Sequence, residues 1–271
     1  MADTASFLPV SVIMPVYNAA ATLQRAVASV FAQTRPPAEI ILIDDGSSDG
    51  SWDVMRRLAD EPGRPPVRLL RLDRNAGAAE ARNAGWALAS QEYVAFIDAD
   101  DAWHPRKLEI QQGWLAAHPE VALCGHRVEV CREPPPATVL SEAVPVQMFD
   151  LRDFLIANRL STPAVMLRRD LHERFASDKR YSEDYLLWMQ IVAAHGPAGF
   201  IDLPLAFLFK ARYGEEGLSG QLWNMQLGEI DTFSRLRRQS CIGLVTWLAV
   251  VVCSWFKFAR RFVLRGMLEK R

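Results

Sequence analysis

Apolar runs of strand length alternate with amphipathic stretches of helix length through the N-terminal part of the chain. Residues 40–43 and 93–97 are wholly apolar, and residues 10–14 are broken only by Ser11. Such runs suit strands covered on both faces, the pattern of a parallel sheet. Residues 67–72 are interrupted by Arg68 and Arg71, which places that strand nearer a sheet edge. Between the strands, Leu23, Ala26, Val27, Val30 and Phe31 share one face of a helix that Asn18 can cap. Ser48 or Asp49 can cap a second helix over about residues 50–60. Residues 74–85 predict an Ala-rich third helix that opens on a Gly-containing loop. Three strand–helix alternations imply right-handed crossovers, so the loops after the strands open on one edge.

The second half is less regular. Pro105 suits the first position of a helix ending near His118, and a strand or pair of strands follows within residues 121–131. Residues 132–145 carry four prolines and read as a surface loop. Helices are expected over residues 149–158 and 169–175, with a short strand at 164–167 between them. Ser182 can cap a helix over 183–192, with Glu183 and Asp184 in its first turn. A strand at 202–209, a polar loop and a helix at 222–238 complete the order.

The tail, residues 242–256, is uncharged and is followed by Lys257, Arg260, Arg261 and Arg265. It falls short of the roughly 20 residues that span a bilayer. Trp247, Trp255 and the basic flank suit a helix lying on a membrane surface. The same pattern suits a helix packed on the core, or a homodimer contact. Residues 1–220 are expected to form the main domain, with halves at about 1–125 and 126–220, and residues 221–271 a helical appendage.

Composition narrows the function classes. Half of the 271 residues are hydrophobic, 23% are charged and the formal net charge is -1. No basic surplus marks a nucleic-acid partner. The four cysteines form no Cys-x-x-Cys pair and read as reduced thiols. The N-terminus lacks a basic, then apolar, leader pattern, so the chain is expected in the cytoplasm, with its tail at the cytoplasmic face of the membrane.

The chemistry gathers at strand ends. The run at 93–97 ends in Asp98-Ala99-Asp100-Asp101, and the run at 40–43 ends in Asp44-Asp45. In open α/β sheets ligands bind at that edge, and clustered carboxylates suit a hard divalent cation with the phosphates it bridges. A turn or helix cap also uses Asp, so the cluster alone leaves both readings open. Arg82, one turn inside the third helix, and the N–H groups at that helix start can hold an anion. No Gly-x-Gly-x-x-Gly follows the first strand and no P-loop is present, which disfavours a dinucleotide dehydrogenase.

Five stretches in order resemble the family 2 glycosyltransferases. They are Val12-Ile-Met-Pro-Val-Tyr-Asn18, Ile43-Asp-Asp-Gly-Ser-Ser-Asp49, Asn75-Ala-Gly77 with Ala81-Arg-Asn-Ala-Gly85, Phe96-Ile-Asp-Ala-Asp-Asp101, and Glu183-Asp184 before Leu187-Trp188. The resemblance implies an A-type glycosyltransferase fold: a Rossmann-like, mostly parallel α/β sheet flanked by helices. It also implies an inverting enzyme that moves one sugar from a nucleotide diphosphate-sugar, a UDP-sugar before others, to an acceptor hydroxyl of an envelope glycan or lipid-linked glycan. Pro15, Tyr17 and Asn18 would lie at the mouth of the nucleotide pocket, with Asn75 nearby. Asp45, with Asp44 as substitute, would accept a hydrogen bond from the base, and Arg82 would sit near base or diphosphate. In the Asp-x-Asp motif of Asp98, Ala99 and Asp100, Asp98 would contact ribose or metal. Asp100 would ligate Mg²⁺ or Mn²⁺.

Asp184 would be the general base, with Glu183 as second choice. A helix N-terminus lowers a carboxylate's pKa and weakens it as a base unless burial or neighbouring acids counteract it. Many family members carry a His in the loop after the late strand; residues 212–219 have none, and Arg212, Tyr213 or Glu215 would take its place. The Gln-x-x-Arg-Trp motif of processive synthases is absent, which favours transfer of a single sugar. A sugar-phosphate nucleotidyltransferase, or a non-catalytic sugar-nucleotide-binding or membrane scaffold on the same fold, remains the alternative.

Overall fold

The computed structural model describes residues 7–62, 64–131, 140, 143–209 and 221–268. One sheet of nine strands organises the molecule. Its parallel part is β3 (Val67–Arg71), β2 (Pro37–Asp44), β1 (Leu8–Val16) and β4 (Tyr93–Phe96), in that spatial order. The helices α1 (Leu23–Phe31), α2 (Ser51–Ala59) and α3 (Ala78–Leu88) make the crossovers. As its two arginines suggested, β3 lies at an edge.

Beyond β4 the sheet turns mixed. β8 (Met166–Arg168) runs antiparallel to both β4 and β6 (Leu123–Val130), while β9 (Ala198–Leu208) is parallel to β6. β7 (Val146–Phe149) and the two-residue β5 (Ala102–Trp103) pair antiparallel with opposite ends of β9. Both expected halves thus share a single sheet.

Alternation along the strands explains why they carry so few polar residues. Ile13, Ile41, Ile43, Val94 and Phe96 face one core, which Trp86 of α3 and Trp188 of α6 (Glu183–His195) complete. Val12, Met14, Ile40, Leu42 and Ala95 face the other, with α1, α2 and α4 (Lys107–Ala117). Each of these Val, Ile, Leu, Met or Phe side chains stabilises the fold by about 1.5–3 kcal/mol when fully buried. Gly85 lets α3 lie directly on the sheet, because a Cβ there would stand 2.6 Å from side-chain atoms of Ile13 and Ile43.

The C-terminal helices α7 (Leu222–Arg238) and α8 (Leu244–Leu268) pack on each other, with α7 against α6. α7 has the bounds its sequence predicts. The four cysteines are free. No helix among the described residues is long and apolar enough to cross a membrane.

Five expectations need correction. Asn18 does not cap α1, which starts after Thr22; Asn18 sits at φ 47° with its Oδ1 accepting from Ser48. Gly50 precedes α2, and Asp49 acts from one position earlier, its Oδ1 accepting from the Ser51 N–H. Ser182 is left-handed, φ 58°, and gives α6 no side-chain cap. No helix forms at 169–175, because Arg169 N–H bonds to Glu92 and Phe175 bonds through both backbone groups to Asn83, drawing Leu171 and Phe175 into the core. The first expected helix of that pair shrinks to α5 (Leu151–Ile156), started by a capping box between Asp150 and Asp153. Residues 132–139 and the polar loop at 210–220 lie outside the described residues.

Candidate active site

β1, β2, β3 and β4 run the same way, so their exits share one edge. There the loops are stitched together. Asn18 N–H donates to Ser47 Oγ at 3.0 Å, Ala19 N–H to Ser51 Oγ at 2.8 Å, and Ala20 N–H to Asp49 at 3.0 Å. Gly46, at φ +72°, allows the loop to touch the next one: an added Cβ would stand 2.7 Å from Asn75 N.

A cleft lined by Gly46, Ser47, Arg71, Leu72 and Asp73 opens beside these loops. Tyr17, Asn18 and Asn75 are exposed on the same edge, and Pro15 is half-buried. Asp44 is fully buried, accepting from Ser47 N–H at 2.9 Å and pairing with Arg71 at 3.1 Å. Asp45 is 3% exposed and accepts from Ala76 N–H at 2.7 Å and Gly77 N–H at 2.9 Å, so it fixes the entry to α3. A base that bonds to Asp45 therefore shares an oxygen already engaged. Burial raises the Asp45 pKa despite those two donors.

The acidic loop follows β4 directly. Carboxylate oxygens of Asp98, Asp100 and Asp101 lie within 4.8 Å of one another. Asp98 and Asp100 are half-buried, whereas Asp101 and Ala99 are buried. Three hard oxygen donors at this spacing fit Mg²⁺ or Mn²⁺. Arg25 steadies the loop, its Nη2 donating to the Asp100 carbonyl at 2.6 Å.

Arg82 joins this loop to the second acidic focus. Its Nη2 lies 2.7 Å from Asp98 Oδ1 and its Nη1 3.2 Å from Glu183 Oε1. Asp184 stands beside Glu183; its Oδ2 accepts from the Thr162 hydroxyl at 3.2 Å and its Oδ1 from the Tyr185 N–H at 2.7 Å. Trp188, one turn later on α6, is fully buried and packs on Phe96, two residues before Asp98. Packing and ion pairing thus fix the two foci as one site.

Electrostatics settles the tension at the helix N-terminus. Burial raises the pKa of Asp184 against the Tyr185 N–H, Arg82 and Thr162, and it raises that of Glu183 together with the Asp184 charge. Burial disfavours the Arg82 cation, but Asp98 and Glu183 outweigh it and hold the guanidinium charged.

Sequence reasoning assembled Arg82, Asp98, Asp100, Glu183 and Asp184 but missed several partners. Asp101 was visible as the third acid of the stretch Asp98-Ala99-Asp100-Asp101. Thr162 and Arg25 had no local signal, since their partners lie 22 and 75 positions away. Thr162 belongs to a 3-10 turn (Thr162–Ala164) held by Trp103, whose indole donates to the Pro163 carbonyl at 2.8 Å, and by Gln111, which donates to Ala164 at 2.8 Å. Arg212, Tyr213 and Glu215 lie outside the described residues.

The fold is the A-type glycosyltransferase fold. TarS of S. aureus (residues 1–349) superposes with a TM-score of 0.71 at 16% identity, covering 94% of this chain and 73% of that one. Mannosyltransferase PcManGT from Pyrobaculum calidifontis, in complex with GDP-Man and Mn²⁺, gives 0.67 at 18% identity, covering 98% and 81%. The description "Glycosyl transferase family 2" matches residues 11–175, and this chain belongs to that family. The UDP-Glc:alpha-D-GlcNAc-diphosphoundecaprenol beta-1,3-glucosyltransferase WfgD of Escherichia coli is 31% identical over 183 residues, 68% of this chain and 69% of its own. Matches to two other curated relatives span 31% and 40% of their length.

Proposed function

We propose that this chain transfers one sugar, with inversion, from a UDP-sugar to a hydroxyl of a lipid-linked glycan in envelope polysaccharide synthesis. One observation carries the reading: Arg82 ties the Asp98 loop to the Glu183-Asp184 helix start, with ion pairs of 2.7 and 3.2 Å. Asp98 and Asp100 would hold Mg²⁺ or Mn²⁺, with Asp101 as a third oxygen donor. The cation, when bound, offsets the charge that grows on the departing diphosphate. Pro15, Tyr17, Asn18 and Asn75 border the nucleotide, with Asp44, Asp45 and Ala99 shaping the loops behind it.

Asp184 takes the proton from the acceptor hydroxyl as it attacks from the face opposite the diphosphate. A single displacement inverts the anomeric centre. Its raised pKa makes Asp184 a stronger base than an exposed aspartate. Glu183 is less suited, because Arg82 holds its carboxylate at 3.2 Å. The donor follows the UDP-Glc in the name of WfgD and the UDP-GlcNAc complex of TarS; the acceptor follows the diphosphoundecaprenol in the name of WfgD.

The test is thermal stabilisation by a panel of UDP-, GDP- and dTDP-sugars with and without Mn²⁺, followed by transfer to a GlcNAc-diphospholipid. Mn²⁺-dependent stabilisation by UDP-sugars with product formed supports the reading. Binding without transfer or donor hydrolysis would favour a non-catalytic sugar-nucleotide-binding protein.

A further inference from the structure

Helix α8 has two unlike faces. Trp247, Val250 and Val251 pack on the core, and buried Ser254 accepts from Gln226 of α7 at 2.8 Å. The opposite face carries Val245, Leu248, Val252 and Phe256, which recur at helical spacing. They are 81%, 50%, 53% and 72% exposed. An apolar stripe of this extent on a helix already docked by its other side is unusual for a monomer surface.

Aromatic and basic groups border the stripe in a fixed order. Trp223 of α7 and Trp255, both exposed, meet Phe258 with ring centroids 5.5–5.8 Å apart. Lys257 and Arg261 follow, both reaching Glu229, and Arg260 is exposed. α8 contains no acidic residue at all.

We propose that this face of α8, with Trp223, docks on the surface of an anionic lipid bilayer. Apolar side chains would enter the boundary between headgroups and acyl chains, the tryptophans would sit at that level, and Arg260 would meet lipid phosphates. Charge decides against a second copy as the occupant. Glu229 already engages Lys257 and Arg261, so exposed Arg260 is the basic group that meets the occupant; the α8 of a second copy carries no acid to pair with it, whereas anionic headgroups offer the opposite sign. The helix lies on the membrane, since no described helix is long and apolar enough to cross one.

The test is co-sedimentation of the full chain with phosphatidylcholine vesicles, with and without phosphatidylglycerol. Partition should be strong only on the anionic vesicles. The double variant Val245→Glu/Phe256→Glu, altered only at exposed positions, should lose at least about tenfold in partition while circular dichroism and melting stay unchanged. Arg260→Glu should weaken partition to anionic vesicles and leave the residual binding to neutral ones unchanged. Parent protein that stays in the supernatant, or a double variant that partitions like the parent, would overturn docking. A stable dimer that the double variant dissociates, with no vesicle binding, would assign the face to a second copy instead. Mn²⁺-dependent UDP-sugar stabilisation measured on the same samples keeps this outcome separate from the fate of the transferase reading.

Discussion

Arg82 Nη2 lies 2.7 Å from Asp98 Oδ1, and the residue that makes this contact is 5% exposed. Its other arm reaches Glu183, 101 positions along the chain. A planar cation with forked donors suits two carboxylates from different elements better than a lysine could. Removing it leaves mostly buried negative charges facing one another.

Arg82→Met is therefore expected to destabilise the protein by roughly 3 kcal/mol, because breaking a buried pair leaves its partners uncompensated. It should also move the acid limb of kcat/KM to higher pH, since Arg82 holds the Glu183 and Asp184 pKa values down. Chemical denaturation and a pH–rate profile check both.

Thr162→Val removes a donor to Asp184 and changes little volume. That donor lowers the Asp184 pKa, so its loss raises it further. A base works only when deprotonated. The acid limb should shift upward, with kcat falling about fivefold on the acid side of the profile and little at alkaline pH, a loss near 1 kcal/mol. A purely structural role for Thr162 would lower activity evenly across pH.

Lys107 is fully buried, its Nζ 3.7 Å from the Trp103 ring centroid and without a hydrogen-bond partner among the described residues. Burial lowers its pKa from 10.5 to about 7. The unfolded chain thus binds the extra proton between those values, and stability rises with pH across that window. The full cost is present below pH 7. Lys107→Met should stabilise by about 1–3 kcal/mol at pH 6, with a gain that shrinks toward pH 9. Urea unfolding at both pH values measures it; an equal gain at each would contradict the assignment.

Trp188 packs against Phe96 and Phe175 at centroid distances of 6.4 and 5.7 Å. Trp188→Ala should cost about 3–5 kcal/mol through the cavity it leaves. Because it anchors the helix that carries Asp184, kcat should fall more than donor affinity, which steady-state kinetics below the melting transition would show.

Much of this was legible in the sequence because periodicity and strand-end chemistry are local. Wholly apolar strands announced a sheet covered on both sides, and the acids after residues 43 and 97 lie, as their positions implied, on the edge where its parallel strands exit. The bounds of α7 were readable from its own pattern. What failed depended on distant partners. Asn18 and Ser182 have the side chains of caps, yet both adopt left-handed backbone that aims them elsewhere. Residues 169–175 have helical composition, but Glu92 and Asn83 capture their backbone groups. Thr162 could not be assigned until the chain brought it beside Asp184.

The most direct test pairs two variants in one titration: Mn²⁺-dependent UDP affinity by calorimetry, with turnover measured on the same preparations. Asp184→Asn should bind UDP like the parent while kcat falls about 10²–10⁴-fold, and Asp100→Ala should lose the Mn²⁺-dependent part of the affinity. Parental turnover in Asp184→Asn, or unchanged Mn²⁺-dependent affinity in Asp100→Ala, would contradict the account.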